Sequence, residues 1–167
     1  MIKNVLIAGS FLCGFLLFAQ TQVVFLEVKN SQGQKVVLEP DFPYAHVAVT
    51  FDGVNFLHSH PQTGVIQSSL DELAQFGTPR ENLFAEEPLG AADLVKNWLG
   101  KPYDSSFSWG NERFYCSELV AKALGISPEP MHFDPGLWPP SFQDFEGKPG
   151  ISPGKIYQKI KAQLFSF

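Results

Sequence analysis

An apolar stripe with helical spacing lies in the second half of the chain and begins at a cysteine. Counted from Cys116, apolar residues recur at the third, fourth, seventh and eighth positions, which are Leu119, Val120, Ala123 and Leu124. This spacing predicts an amphipathic helix, and Gly125 predicts its end. The sequence therefore places a thiol early in a short helix, one face of which is turned to a core.

Two pairs of β-rich runs in the first half of the chain predict two hairpins. Residues 23–28 and 35–39 flank a loop of turn-forming residues, and residues 45–51 and 54–59 flank Asp52-Gly53. Glycine and aspartate in these connections are typical of tight turns. Hairpins pair antiparallel, so we expect an antiparallel sheet.

Shorter elements are predicted between the hairpins and the cysteine helix. A strand is expected at residues 65–67. Ser69 and Glu72 have the spacing of a capping box, so we expect a helix there that ends near Gly77. Residues 91–99 predict another helix. Its apolar stripe consists of Ala91, Leu94, Val95 and Trp98.

The C-terminal part of the chain gives a weaker pattern. Residues 128–145 are rich in proline and aromatic side chains, which predicts a loop that covers the core rather than regular elements. Residues 154–164 fit a helix through Ile156, Ile160 and Leu164, but Ile156-Tyr157 alone fits a strand. Taken together, the pattern predicts the α+β class, with an antiparallel sheet packed against the helix that carries the cysteine.

The second hairpin carries three of the four histidines, so its register decides which of them meet. A two-residue turn at Asp52-Gly53 would put His46 and His58 on opposite faces of the sheet. A three-residue loop instead pairs Thr50 with Val54. In that register His46 lies opposite His58, and both rings project from one face. We predict the second register.

Composition indicates one globular domain and excludes some partners. The chain has 167 residues, of which 44% are hydrophobic and 17% charged. Its net charge is -5, and it has no cluster of lysine and arginine that could follow a phosphate backbone. Nucleic acid is therefore not expected as a partner.

The first twenty residues have the features of an export signal. Lys3 precedes an apolar run over residues 5–18, and residues 19–22 offer a cleavage region. The run is too short to predict a stable membrane span. Large residues precede Cys13, which argues against a lipid-attachment site there. We expect a signal peptide over residues 1–20 and an exported, periplasmic or secreted domain over residues 21–167.

After signal removal, Cys116 would be the one cysteine of the chain and could form no internal disulfide. A cysteine in an apolar stripe is usually an inert core residue. A cysteine at a helix N-terminus becomes a nucleophile when a histidine serves as its base and a third polar group orients that histidine. His46 as base and His58 as orienting residue meet this need in the predicted register, and His60 competes for the third position because it shares the face of His58.

Five motifs then carry a resemblance to a known family. They are His46-Val47-Ala48-Val49, Phe56-Leu57-His58-Ser59, Thr63-Gly64-Val65, Gly100-Lys101-Pro102-Tyr103-Asp104 and Tyr115-Cys116-Ser117-Glu118-Leu119-Val120. Their order and spacing resemble those of the circularly permuted papain-like amidases of the YaeF/YiiX type. These are relatives of NlpC-type cell-wall peptidases and of lecithin:retinol acyltransferase. The motifs span about half of the chain.

This resemblance implies a circularly permuted papain-like, NlpC-type fold and a set of site residues. Cys116 matches the nucleophile and His46 the base, and the third position falls on His58. Tyr103 and Asp104 match a motif near the substrate cleft, and Tyr115 adjoins the nucleophile. We expect no cofactor and no metal.

We therefore expect an exported cysteine amidase or peptidase that acts on an amide bond of a cell-wall peptide or an amino-acid amide. The acyltransferase relatives imply a lipid ester hydrolase or acyltransferase as the alternative. A zinc site on His46, His58 and His60 is a third hypothesis, although no carboxylate has a short, fixed spacing to these residues. The fourth is a binding module that holds a peptide or lipid without catalysis.

Overall fold

A five-stranded antiparallel sheet forms the centre of the molecule in the computed structural model, which describes residues 21–164. The strands are β1 (Gln22–Glu27), β2 (His46–Thr50), β3 (Phe56–His60), β4 (Gly64–Ser68) and β5 (Thr78–Phe84). Their order across the sheet is β4-β3-β2-β1-β5. The predicted signal peptide at residues 1–20 lies outside the described residues.

Short helices and a small ribbon surround this sheet. The helices are α1 (Leu70–Leu73), α2 (Ala91–Leu94), α3 (Cys116–Ala123) and α4 (Pro153–Leu164), with 3₁₀ turns at Val95–Trp98 and Pro140–Phe145. Strands β6 (Glu129–Pro130) and β7 (Pro149–Gly150) pair into the ribbon. Within residues 21–164, no helix is both long enough and apolar enough to cross a membrane. The predicted α+β class is confirmed.

The core lies between one face of the sheet and the helices α3 and α4. Leu119 and Val120 of α3 and Ile156 and Ile160 of α4 are almost completely buried against the apolar face of the sheet. The predicted stripe after Cys116 is therefore confirmed, and the C-terminal segment is a helix rather than a strand. Burial of side chains of this size stabilises the fold by roughly 1.5–3 kcal/mol each.

The predicted first hairpin is wrong. Strand β1 pairs with β2 on one side and with β5 on the other, so both of its edges are occupied. Residues 35–39 therefore form no strand of the sheet, and an isolated bridge joins Lys29 to Lys35 instead. The sequence pattern did not indicate β5, because most of its side chains are polar and only Leu83 is fully buried.

The second hairpin is confirmed, but its predicted register is wrong by two residues. Val49 lies opposite Leu57, so residues 51–55 form the connection and Thr50 does not pair with Val54. The carboxylate of Asp52 explains the longer loop, because it accepts hydrogen bonds from the N–H groups of Val54 and Asn55 at 2.8 and 2.7 Å. A shift by two residues keeps each side chain on its predicted face.

The two smaller predicted helices form in shortened versions. The capping box of Ser69 and Glu72 begins α1 as predicted, but the helix ends at Leu73 rather than near Gly77. The predicted helix over residues 91–99 is split between α2 and the 3₁₀ turn that follows it. Its stripe is buried except at Leu94, of which 49% is exposed.

Candidate active site

Cys116 is the first residue of α3 and faces the core and a cavity. It is a free cysteine with 8% of its surface exposed. Tyr115 precedes it in an extended conformation that starts the helix. The helix begins here because the apolar spacing of Leu119 and Val120 requires the chain to turn toward the sheet. The prediction of a thiol early in this helix is confirmed.

The surroundings of the sulfur favour the neutral thiol. Burial raises the pKa of Cys116 to about 11, although the N–H groups of Val47, Ser117 and Cys116 itself act in the opposite direction. The sequence suggested that the helix N-terminus would favour the thiolate. Desolvation outweighs the helix N-terminus in the free protein, because a buried anion has lost most of its hydration.

Three buried side chains form a hydrogen-bonded relay across β2, β3 and β4. The Nε2 atom of His46 lies 3.1 Å from the Nδ1 atom of His58. The Nε2 atom of His58 lies 3.1 Å from the hydroxyl oxygen of Ser68. We call His46, His58 and Ser68 the histidine relay. The hydrogen bond to His58 fixes the orientation of the His46 ring and occupies its Nε2 atom. The other ring nitrogen, Nδ1, takes no part in the relay.

Both relay histidines are neutral at physiological pH. Burial lowers the pKa of His46 well below its ordinary value of 6.5, and the nearby rings of His58 and His60 lower it further. Burial also lowers the pKa of His58 to about 4. A neutral imidazole can accept a proton, so the relay can supply a general base.

His60 lies near the relay but outside it. Its ring centroid is 6.0 Å from that of His46, and its Nδ1 atom accepts a long 3.3 Å hydrogen bond from the N–H of Gln62. His58, in contrast, makes the hydrogen bond to His46. Of the two histidines that the sequence left open, geometry therefore gives the orienting position to His58.

The thiol and the relay approach each other at the start of β2. The N–H of Val47 contacts the sulfur of Cys116, and Ala45 lines the same cavity as the sulfur. Of the two neighbours of His46, Val47 therefore contacts the thiol and Ala45 shares its cavity. Among residues 21–164, no hydrogen bond joins the His46 ring itself to the sulfur. Catalytic hydrogen bonds in free enzymes are often long and tighten only when substrate binds.

Tyr103 lines the same cavity as Cys116. Burial raises the pKa of its phenol, and the nearby Cys116 sulfur raises it further. The phenol therefore keeps its proton and can donate a hydrogen bond. A bridge between Tyr103 and Phe114 ties it to the segment that leads into α3.

Asp104 and Tyr115 have structural contacts that the sequence did not indicate. Both carboxylate oxygens of Asp104 accept hydrogen bonds from the N–H and hydroxyl groups of Ser106 and Ser108. Asp104 therefore shapes this loop, and its role toward substrate stays a prediction. The Tyr115 hydroxyl accepts a hydrogen bond from the Ile151 N–H at 3.1 Å, while its ring lines the cavity.

Ser68 is the site residue that sequence reasoning missed. It follows the predicted strand at residues 65–67 and precedes the capping serine of α1, so it had the pattern of an ordinary strand end. Its position opposite Phe56 across β3 and β4 brings its hydroxyl to His58. The available signal was a serine at the end of the strand that follows the strand of the predicted orienting histidine, His58.

The architecture and this site together define a class of protein. An antiparallel sheet carries a histidine pair, and a cysteine begins a helix that packs on that sheet and comes later in the chain. This arrangement is that of a permuted papain-like α+β protein. Residues 18–163 match the family described as permuted papain-like amidase enzyme, YaeF/YiiX, C92, and the chain belongs to this family. The resemblance and the fold class inferred from the sequence are confirmed.

Two proteins from Escherichia coli are similar to this chain, one over a short segment and the other over most of the fold. The K12 protein YiiX is 50% identical over 48 residues, which cover 26% of this chain and 24% of that relative. The crystal structure of the metalloprotein YiiX from strain O157:H7 aligns with a TM-score of 0.59. That alignment has 23% identity and covers 83% of this chain and 91% of the other. The structural likeness supports the fold.

Proposed function

We propose that this chain is a cysteine hydrolase that cleaves an amide bond with Cys116 as nucleophile and His46 as general base. The observation that carries the proposal is the histidine relay, because His46 directly precedes Val47, whose N–H contacts the sulfur of Cys116. Membership of an amidase family supports the reaction class. His58 orients His46, and Ser68 orients His58.

The relay has one arrangement of protons that suits a general base. If the Nε2–H of His46 donates to Nδ1 of His58, then the Nε2–H of His58 donates to the oxygen of Ser68. Nδ1 of His46 is then unprotonated and can take the thiol proton. The opposite arrangement would place a proton on that nitrogen and block it as a base. In this productive arrangement the Ser68 oxygen accepts the hydrogen bond from His58.

The reaction proceeds in two halves. His46 takes the proton from Cys116 as the sulfur attacks the carbonyl carbon, and the N–H of Cys116 and the phenol of Tyr103 stabilise the oxyanion. The C–N bond breaks as His46 gives its proton to the departing amine. Water then attacks the thioester with His46 again as base, which releases a carboxylic acid and restores the thiol.

The zinc hypothesis has less support. The E. coli structure is that of a metalloprotein, yet in the described part of this chain no three His, Cys, Asp or Glu residues are grouped to hold an ion. The nitrogens of His46 and His58 that face each other are joined by a hydrogen bond. The residues present do not fit a metal, and we derive no step through one.

We also propose that the domain acts after export, on a peptide or lipid-like amide outside the cytoplasm. The pattern of residues 1–20 supports this proposal. N-terminal sequencing of the protein recovered from the periplasm or medium of expressing cells tests it, because a chain that starts near residue 21 is expected. A full-length chain that stays in the cytoplasm would contradict export.

A panel of variants tests the proposed function. Wild type, Cys116→Ala, His46→Gln and His60→Gln are incubated with muropeptides and with N-acyl amides, and products are measured by mass spectrometry. We expect losses of at least about 1,000-fold for Cys116→Ala and His46→Gln. His60→Gln is the matched control and should lose less than about fivefold. Undiminished turnover by Cys116→Ala would remove the thiol from the reaction.

A further inference from the structure

A cavity of about 540 Å³ opens at the sulfur of Cys116. This volume lies in the range of roughly 300–1,000 Å³ that is typical of small-molecule sites. Much of its wall is aliphatic or aromatic. Its apolar lining includes Leu38, Phe107, Met131, Phe133, Trp138 and Ile151.

The aromatic part of this wall is a packed cluster rather than a set of mobile side chains. Phe107, Phe133 and Trp138 contact one another with ring centroids 5.1–5.9 Å apart. The indole N–H of Trp138 donates to the carbonyl oxygen of Leu38 at 2.7 Å, which joins the cluster to the opposite wall. The cavity is therefore largely preformed.

Three of the ionisable side chains on the same wall, those of Glu39, Glu129 and His132, already have partners within the chain. The carboxylate of Glu39 accepts hydrogen bonds from Ser152 and Gly154 at 2.7 and 2.8 Å. His132 pairs with Glu146 at 2.8 Å, outside the apolar part. Recognition of a polar peptide needs buried polar groups directed at it, and these groups are engaged elsewhere.

A second depression lies on the far side of Tyr103 and Phe107, which line both spaces. Its wall includes the loop Pro61–Gly64, which directly follows His60 at the end of β3. In the proposed reaction His46 protonates the departing amine, whereas the sulfur of Cys116 binds the acyl carbon. Two spaces thus adjoin Tyr103 and Phe107, one lined by Cys116 and the other by the loop that follows His60.

We propose that the substrate is an N-acyl amide whose acyl group is an apolar aliphatic chain held in the 540 Å³ cavity. This inference rests on the proposed function, because it assigns the two sides of the bond that Cys116 attacks. A sulfur–carbon bond forms to the acyl carbon and the carbon–nitrogen bond breaks. The thiol proton passes through His46 to the amine, and water then releases the fatty acid.

Binding to Cys116→Ala tests this inference without turnover. Calorimetry with N-acetyl-, N-butyryl-, N-hexanoyl- and N-octanoyl-alaninamide should show affinity rising roughly two- to fourfold for each added methylene. Leu38→Trp in the same background narrows the cavity and should weaken octanoyl binding at least about tenfold. Val54→Trp is the matched control, because this position is on the β2–β3 loop with 63% of its surface exposed.

Two results would overturn the inference. One is an affinity that does not depend on chain length, and the other is tighter binding of a polar tripeptide amide than of the octanoyl compound. Turnover by wild type separates the two proposals. Binding that depends on chain length, without turnover of any amide, supports the cavity assignment and contradicts the proposed hydrolysis. Efficient turnover of the acetyl compound, with no dependence on chain length, supports the hydrolysis and contradicts the cavity assignment.

Discussion

Cys116 and His46 are both uncharged in the free protein, and burial is the reason for each. It raises the pKa of the thiol to about 11 and lowers the pKa of the imidazole well below 6.5. The site therefore differs from one that holds a permanent thiolate–imidazolium pair. In the proposed reaction, transfer of the proton from Cys116 to His46 becomes favourable only when an oxyanion develops beside the helix N-terminus and the phenol of Tyr103.

In the proposed mechanism, Ser68 acts through His58 as a positioning residue. Ser68→Ala removes the hydrogen-bond partner of the His58 Nε2 atom, so we expect kcat/KM to fall about 3- to 10-fold, the effect of one hydrogen bond. Ser68→Thr keeps the hydroxyl and should restore most of the activity. Nitrogen-15 NMR of the histidine rings should show a mixture of His58 tautomers in Ser68→Ala alone. An unchanged tautomer would contradict the positioning role.

His58 also links stability to pH. Its folded pKa of about 4 lies below the ordinary value of 6.5, so the unfolded chain binds more protons between these values. The stabilisation that neutral His58 contributes is fully present above pH 6.5 and is lost as the pH falls toward 4. We expect about 2 kcal/mol less unfolding free energy at pH 5 than at pH 7.5.

Urea unfolding of wild type and His58→Gln at both pH values checks this expectation. The variant lacks the titrating group, so the gap between the two proteins should narrow by about 2 kcal/mol at the lower pH. Parallel losses in wild type and variant would show that other groups cause the acid sensitivity.

Among the elements, strand β4 is positioned by a glycine. Gly64 starts β4 with a φ of 69°, and a Cβ atom there would collide with the carbonyl of Lys101. β4 also carries Ser68 at its other end. A change at Gly64 should therefore disturb the relay as well as the fold.

Gly64→Ala is expected to lower the free energy of unfolding by more than about 2 kcal/mol, the sum of left-handed strain and the collision. Gly33→Ala is the matched control, because Gly33 has a similar φ of 77° but nothing within 4 Å of an added Cβ. Gly33→Ala should lower the free energy of unfolding by about 1 kcal/mol. Denaturant unfolding measures both values, and equal losses would mean that the contact with Lys101 has no effect.

The elements that sequence predicted well are those whose side chains show a clear period. The stripe that starts at Cys116 and the capping box at Ser69 are local patterns, and both elements form. Strand β5 has a mainly polar sequence, and its place beside β1 depends on long-range pairing that no local pattern records. The predicted register of β2 and β3 was wrong because hydrogen bonds to the Asp52 side chain lengthen the loop between these strands.

The candidate site shows the same division between local and long-range information. Cys116, His46 and His58 were chosen by residue type and by face, and the period of two along a strand survives a shift of two residues. Ser68 and the high pKa of the thiol depend on register and on burial. Neither can be obtained from residue spacing.

At the scale of the whole molecule, the site lies where a helix from the second half of the chain meets strands from the first half. The core behind α3 holds the sulfur beside β2, and the C-terminal segment adds the ribbon and the aromatic cluster that bound the cavity. Residues 38–45, 103–117 and 129–158 all contribute to the wall of this cavity, which Cys116 also lines. We infer that the amide bond is cleaved at Cys116.

Trapping of the acyl-enzyme tests that claim most directly. Wild type is mixed with N-octanoyl-alaninamide or with muropeptides, quenched in acid within the first turnover and digested for mass spectrometry. We expect an acyl group on the peptide that contains Cys116, sensitive to hydroxylamine as a thioester and absent from Cys116→Ala. Turnover of substrate with Cys116 unmodified throughout, or with the acyl group on another residue, would contradict it.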